Sequence, residues 1–250
     1  MDVINVSDLD ALIQRAASDT IAKIAAVQAG GGVHGDGIAR VVLTGGGAGI
    51  GVLRTLAEFD AAATAQAETF PALRIDWSRV HVFFGDERAV PVAHPDSNEG
   101  QAREALLNHV PVNPDWVHSY RLGEMSLEES TAWYEQELAT WAPKGFDLHL
   151  LGMGGEGHIN SLFPHTAAVR EDSKLVVAVQ DSPKPPATRV SLTLPAVRSA
   201  DAVWLLVAGA EKAVAAGHVI AGSSHVDWPA AGAQGRKDSR LYLAQDASLH

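Results

Sequence analysis

Three apolar runs in this chain each end in a turn that cannot continue a strand, and this repetition constrains the fold more than any other feature of the sequence. Residues 40–44 run into Gly45, Gly46 and Gly47, residues 80–84 run into Gly85, and residues 146–151 run into glycines at 152, 154, 155 and 157. Runs of this length and apolarity are those of buried strands, and glycine admits backbone conformations that let a chain turn sharply or approach a ligand closely. Helical spacing fills the intervals. Leu9, Leu12, Ile13, Ala16, Ile21, Ile24 and Ala25 mark a helix over 8–28, with Ser7 or Asp8 placed to cap it. Further helices are predicted over 50–65, 98–109, 126–140 and 210–220, and further strands over 174–179, 189–194, 202–207 and 240–243. The glycine-rich stretch 30–37 predicts a flexible polar connection, and the proline-rich stretch 182–186 predicts a joint between two strands.

Strands alternating with helices predict an α/β protein with a mainly parallel, doubly wound sheet covered by helices on both faces. A chain of 250 residues with 46% hydrophobic content can bury one large core, so a single domain over 1–250 is expected. In open sheets of this kind, ligands bind beyond the carboxyl ends of the strands. The turns after Thr44, Phe84 and Leu151 are therefore expected to converge on one site.

Charge and composition narrow the partners. A formal net charge of −11 disfavours nucleic acid and anionic membranes, both of which reward a basic face. The chain has no cysteine, which excludes disulfides and thiolate chemistry and suits a reducing cytoplasm. No apolar run approaches the roughly 20 residues that span a bilayer. Residues 1–6 lack the basic flank and apolar core of a signal peptide, so a soluble cytoplasmic protein is expected. The sequence leaves the oligomeric state open, with a monomer favoured. An acidic chain that binds an anionic ligand must gather its few cations, together with backbone N–H groups, in one cleft.

The segment 151–164, Leu-Gly-Met-Gly-Gly-Glu-Gly-His-Ile-Asn-Ser-Leu-Phe-Pro, carries the strongest chemical signal. Its glycines allow close approach to a small molecule, and His158 supplies a group that exchanges a proton near neutral pH. A lone histidine in a tight turn is usually a hydrogen-bonded structural residue, but the flanks here point elsewhere. Gly-Met-Gly-Gly-Glu-Gly-His followed by Ser-Leu-Phe-Pro resembles the signature of the 6-phosphogluconolactonases, a Gly-x-Gly-x-Asp-Gly-His loop leading into Ser-Leu-Phe-Pro. The related glucosamine-6-phosphate deaminases share the first half and then continue into Phe-Asn-Glu-Pro, which Ser161, Leu162, Phe163 and Pro164 do not match. Two residues depart from the pattern: Glu156 stands where the family usually has Asp, and Asn160 where a small residue is common.

The other motifs fit the same resemblance. The turn from Thr44 to Gly51 also resembles the cofactor loop of short-chain dehydrogenases, but none of the tyrosines at 120, 134 and 242 has the lysine four residues on that such enzymes need. The resemblance instead implies a phosphate loop, with backbone N–H groups of Gly45, Gly46 and Gly47 binding phosphate near a helix N-terminus. Gly85-Asp86-Glu87-Arg88, with Asp96-Ser97-Asn98 beyond it, resembles the family's Asp-Glu-Arg and Ser-Asn elements. It implies that Arg88 binds phosphate or sugar oxygens beside Asn98, with Asp86 and Glu87 holding that arginine and its loop. Arg189 and Lys212 resemble an Arg-x-Thr strand and a Gly-x-x-Lys helix start, and are either cleft cations or ordinary surface charges.

Carried together, the resemblance implies a glucosamine-6-phosphate deaminase-like fold and hydrolysis of 6-phospho-D-glucono-1,5-lactone to 6-phosphogluconate in the oxidative pentose phosphate pathway. His158 would act as general base on water, Glu156 would orient or tune the histidine or the loop, and N–H groups in 152–157 would face the oxyanion. Gly45, Gly46, Gly47, Arg88, Asn98, Gly154, Arg189 and Lys212 would bind substrate. No metal or other cofactor is implied, and His94, His165, His218 and His225 have no ligand spacing. Two alternatives remain: an amino-sugar-phosphate deaminase that isomerises and releases ammonia, and a non-catalytic sugar-phosphate sensor.

Overall fold

The computed structural model describes residues 1–67 and 72–248. In chain order, the first half contains β1 (Asp2–Val6), α1 (Leu9–Gly30), β2 (Ala39–Leu43), α2 (Gly46–Ala65), β3 (Val80–Phe84), β4 (Asp86–Arg88), α3 (Asn98–Ala102) and α4 (Leu127–Trp141). The second half contains β5 (Leu148–Gly152), α5 (Ala167–Arg170), β6 (Val176–Val179), β7 (Arg189–Leu192), α6 (Leu194–Arg198), β8 (Ala202–Val207), α7 (Ala213–Ala221) and β9 (Asp238–Ala244).

The mainly parallel sheet has six strands in the order β1-β9-β8-β5-β2-β3, every neighbouring pair parallel. Every residue of β2, β3 and β8 is buried, as expected where both faces of a sheet are covered. On one face, Val41, Leu43, Val80 and Val82 pack toward Thr20 and Ile24 of α1 and Leu56 of α2. On the other face Phe83 stacks on His118 at 4.3 Å, and His118 in turn bonds Glu137 of α4. Helix starts follow the sequence signals: Asp8 accepts from the Ala11 N–H, and Ser126 with Glu129 forms a complete capping box.

Strand order explains where a ligand can sit. From β2 the chain moves outward to β3 and later returns on the other side of β2 as β5, which places a topological switch between those two central strands. Loops leaving β2 and β5 diverge there and open a crevice at the carboxyl edge of the sheet. Thr44 spans its base, its Oγ1 accepting from the Gly152 N–H at 3.1 Å.

Five features differ from the sequence expectation. Strands β6 and β7 leave the main sheet and form an antiparallel three-stranded sheet with β4. Gly85 joins the two systems, donating its N–H to Leu43 and accepting from Leu192 at 2.8 Å. Helix α2 begins at Gly46, four residues before the predicted start, because the glycines that signal a turn also form the first helical turn. The helix predicted over 98–109 is short α3 followed by a π-helical turn, Arg103–Leu107. Residues 2–6 pair with β9 as an edge strand that periodicity did not signal. The 30–37 connection is tied down, with Asp147 accepting from the backbone N–H of Val33 and of Arg40, both at 2.8 Å.

Candidate active site

The expected convergence of the three turns is present. A cleft of about 400 Å³ is lined by residues 44–49 after β2, Asp86, Arg88 and Asn98 beyond β3, and residues 152–155 with His158 and Asn160 beyond β5. Lys184, Arg189, Glu211 and Lys212 complete its wall. This acidic chain thus places four of its 19 Lys and Arg side chains around one opening, the concentration of cations an anionic ligand requires.

Helix α2 points its N-terminus into that cleft. Its cap residue, Gly45, makes no side-chain capping bond, so the N–H groups of the first turn are unsatisfied by a cap and carry the positive end of a 20-residue helix. Gly46 takes the left-handed φ of +78°, which turns the chain from β2 into the helix and which a side chain would oppose. At Gly45 a Cβ would run into the Asn98 carboxamide.

Carboxylates beneath the cleft hold the loops that carry its cations. Glu87 is buried and accepts from Ser97 Oγ and from the N–H groups of Arg88, Asn98 and Glu99, which fixes the start of α3. Asp86 accepts from Ser161 Oγ at 2.6 Å and from Asn98 Nδ2, and lies 3.9 Å from the Arg189 guanidinium. The expectation that Asp86 and Glu87 hold Arg88 and its loop is met for the loop and for the Arg88 backbone N–H, and is corrected for the guanidinium, which neither carboxylate meets. Arg88 is held through Nη1 alone, by Asn98 Oδ1 at 2.7 Å and the Asp96 carbonyl at 2.9 Å. Glu87→Ala would leave three backbone donors and a hydroxyl without their acceptor. It should cost about 3 kcal/mol of stability, measured by urea unfolding, and a loss below roughly 1 kcal/mol would remove this role.

Arg189 lines the cleft but is almost wholly buried and spends its donors on the carbonyls of Lys184 and Pro186. Its contribution there is to hold the 182–187 segment over the site. Lys212 also lines the cleft, and among the described residues it makes no ion pair. Lys184 was not foreseen from sequence. Cations beside glycine turns are the ones sequence marks, whereas Lys184 stands between two prolines, which fix a loop as firmly.

At the mouth of β5, His158 stacks on Phe163 with ring centroids 4.6 Å apart, and its Nδ1 lies 3.0 Å from Glu156 Oε1. Glu156 also reaches Lys184, its Oε1 lying 3.1 Å from Nζ, so the longer carboxylate bridges an imidazole and an ammonium. Burial is the largest influence on His158 and lowers its pKa below the ordinary histidine value, with Glu156 and Lys184 acting in opposite senses. Burial opposes the charge on Glu156, but its own backbone N–H, His158 and Lys184 together bring its pKa below the ordinary range. The pair is thus a neutral imidazole beside an ionised carboxylate. With Nδ1–H donating to Glu156, the lone pair on Nε2 is free to take a proton.

Gly154 permits this arrangement, because a Cβ there would collide with the His158 ring and the Glu156 carboxylate. Its N–H donates to the His158 carbonyl at 3.0 Å, while Gly152 donates to Thr44 and Gly157 to the Gly154 carbonyl. Within residues 152–157, expected to offer oxyanion donors, the N–H groups of Gly152, Gly154 and Gly157 are thus committed, while that of Gly155 has no partner among the described residues. No group of three or more His, Cys, Asp or Glu with metal-binding geometry occurs among the described residues. No described helix is long and apolar enough to cross a membrane.

A sequence profile of the glucosamine-6-phosphate isomerases/6-phosphogluconolactonase family matches residues 7–242. The chain belongs to this family of α/β proteins. The 6-phosphogluconolactonase of Mycobacterium tuberculosis is 46% identical over 250 residues, covering 96% of this chain and 94% of that protein. The 6-phosphogluconolactonase of Streptomyces coelicolor is 42% identical, covering 96% and 90%. Among solved structures, 6-phosphogluconolactonase from Thermotoga maritima superposes with a TM-score of 0.81 at 24% identity, covering 98% of this chain and 99% of that one. A monomeric glucosamine-6-phosphate deaminase superposes nearly as well, with a TM-score of 0.79 at 20% identity and coverage of 99% and 98%. The fold is therefore common to both activities, and the residues of the cleft must distinguish them.

Proposed function

We propose that this chain is a 6-phosphogluconolactonase, hydrolysing 6-phospho-D-glucono-1,5-lactone to 6-phosphogluconate in the pentose phosphate pathway. The observation that carries this reading is that a neutral, carboxylate-oriented imidazole shares one cleft with an uncapped helix N-terminus and unpaired cations. The full-length relatives named above support it. The substrate phosphate sits against the N–H groups of Gly45, Gly46 and Gly47, with Arg88 and Lys212 supplying charge. Asn98 orients Arg88, and Arg189 holds the neighbouring wall.

With the phosphate anchored, the lactone extends toward the β5 loop. His158 Nε2 takes a proton from water as the water oxygen bonds to C1, and the carbonyl electrons move onto its oxygen. Glu156 keeps the proton of Nδ1 in place and stabilises the imidazolium that forms. The Gly155 N–H is the donor available to the developing oxyanion. Collapse of the tetrahedral intermediate breaks the C1–ring-oxygen bond, and the imidazolium returns its proton to the departing ring oxygen. A lactone is already an activated ester, so binding, one base and charge stabilisation suffice. The cysteine-free composition fits a cytoplasmic setting for this chemistry.

The test is hydrolysis of freshly generated 6-phosphogluconolactone, corrected for its spontaneous rate, beside an ammonia-release assay on glucosamine 6-phosphate. Turnover of the lactone without ammonia release is expected, and the reverse result would move the chain to the deaminases.

The histidine also sets a pH dependence. A depressed base pKa means that kcat/KM stays level through neutrality and falls on acidification with a midpoint below the ordinary histidine value of 6.5. Glu156 raises the His158 pKa, so Glu156→Gln should move the midpoint lower still while reducing kcat. A midpoint that rises in Glu156→Gln would contradict the assigned pairing.

A further inference from the structure

Buried polar atoms without hydrogen-bond partners are concentrated directly behind the catalytic loop. Among the described residues, the buried side-chain atoms in this condition are Thr20 Oγ1, His34 Nδ1, both ring nitrogens of His149, and both amide atoms of Asn160. Four of the six thus belong to two residues that adjoin each other. His149 is fully buried in the middle of β5, its backbone paired with Val42 on one side and Val203 on the other. Asn160 lies two residues beyond His158, lines the cleft, and holds the left-handed φ of +47°. Its carboxamide fits the space left by the missing side chain of Gly85, where a Cβ would collide with it.

Asn160 is the side chain whose hydrogen-bonding influence reaches the His149 ring, yet the contact falls short of a well-formed bond. Burial keeps His149 neutral, with its pKa lowered to about 3, so the ring presents one donor and one acceptor to a carboxamide that presents both. Leaving such groups unpaired away from water is unfavourable. A small rotation of the Asn160 side chain would recover part of that cost for both residues. Asn160 lies two residues from His158 and directly before Ser161, whose N–H is fixed to Ser191 Oγ at 3.1 Å, so a carboxamide held on His149 ties down the stretch that carries His158.

We propose that Asn160 and His149 are positioning residues for lactone hydrolysis: their carboxamide–imidazole contact closes to a hydrogen bond in the ligand-bound enzyme and sets residues 158–160 beneath the reacting carbonyl. This rests on the lactonase reading. Neither side chain touches the reacting atoms, and both act through the placement of His158. His149 in the strand and Asn160 in the loop therefore form one device, in which the polar residue in the strand makes the polar residue in the loop useful.

The experiment compares wild type, Asn160→Ala, His149→Leu, the double variant and His149→Gln, with thermal unfolding recorded for each. Wild-type lactone turnover is established first, so failure of the lactonase reading appears there, before any variant is compared. Each single variant is expected to lose about tenfold in kcat with KM within about twofold, because misplacement of a base affects the chemical step. The double variant should be no slower than the slower single, since the second substitution removes a partner already lost. His149→Gln keeps a donor and an acceptor near the imidazole positions and should recover much of the loss seen in His149→Leu. Unchanged kcat in folded single variants, losses that multiply in the double variant, or equal kcat for His149→Gln and His149→Leu would each overturn the proposal. If a single variant does not fold, nitrogen chemical shifts of His149 in wild type decide: a ring nitrogen moving toward a hydrogen-bonded value on addition of 6-phosphogluconate supports it, and no movement overturns it.

Discussion

His158→Ala should lower kcat for lactone hydrolysis by about 10²- to 10⁴-fold, the range a positioned general base contributes. The protein should remain folded. The imidazole makes one hydrogen bond, to a half-exposed carboxylate, and stacks on Phe163 without anchoring any buried backbone group. Loss of the ring also leaves Lys184 and Glu156 paired, so no uncompensated charge is buried. Binding of 6-phosphogluconate should change little, because the proposed phosphate contacts, Gly45 to Gly47, Arg88 and Lys212, do not include His158. Wild-type turnover in a folded His158→Ala variant would remove the base assignment and shift attention to water held by other groups.

Arg88→Ala carries the second large effect. Its Nη1 is committed to the Asp96 carbonyl and to Asn98, so Nε and Nη2 remain as a planar pair for two phosphate oxygens. Loss of charge-assisted hydrogen bonds worth about 1.5–3 kcal/mol should weaken binding of 6-phosphogluconate roughly 10- to 100-fold, measured by calorimetric titration. The unphosphorylated lactone provides the internal control. Its hydrolysis should be as slow in Arg88→Ala as in wild type, because the arginine then has no phosphate to hold. Equal losses on both substrates would indicate that Arg88 supports the loop instead of the phosphate.

The chemistry of this cleft was legible because its parts are local in sequence. Gly152 to Pro164 contains the histidine proposed as base, the carboxylate beside it and the glycines that let them approach, all within one turn-rich segment. The identity of the strands was equally plain for β2, β3, β5 and β8, where a residue buried on both faces must be apolar at nearly every position. The edge strand β1 was not visible, since Asp2, Asn5 and its exposed side chains reflect burial on one side only. Lys184 was missed because a single lysine among prolines has no local signature, and it reaches Glu156 only through folding, 28 residues away in the chain. Asp86 and Glu87 were recognised as supports, but their partners were not, because Asp86 meets Ser161 at a separation of 75 residues and Glu87 serves the start of α3.

The sequence by itself determined the class of fold, the three turns that meet at the sheet edge, and the pairing of a histidine with a carboxylate two residues away. These follow from periodicity, from the conformational freedom of glycine and from side-chain reach, all of which act over a few residues. Only the tertiary structure decided that β6 and β7 leave the parallel sheet, that Arg88 is aimed by Asn98, and that His149 lies beneath Asn160. Strand pairing and cross-loop contacts depend on which segments burial brings together, and chain separations of tens of residues leave no periodic trace. The switch between β2 and β5 is the physical reason the local signals amount to a site: it opens a crevice where the two loops part, and the N-terminus of α2 and His158 both line it.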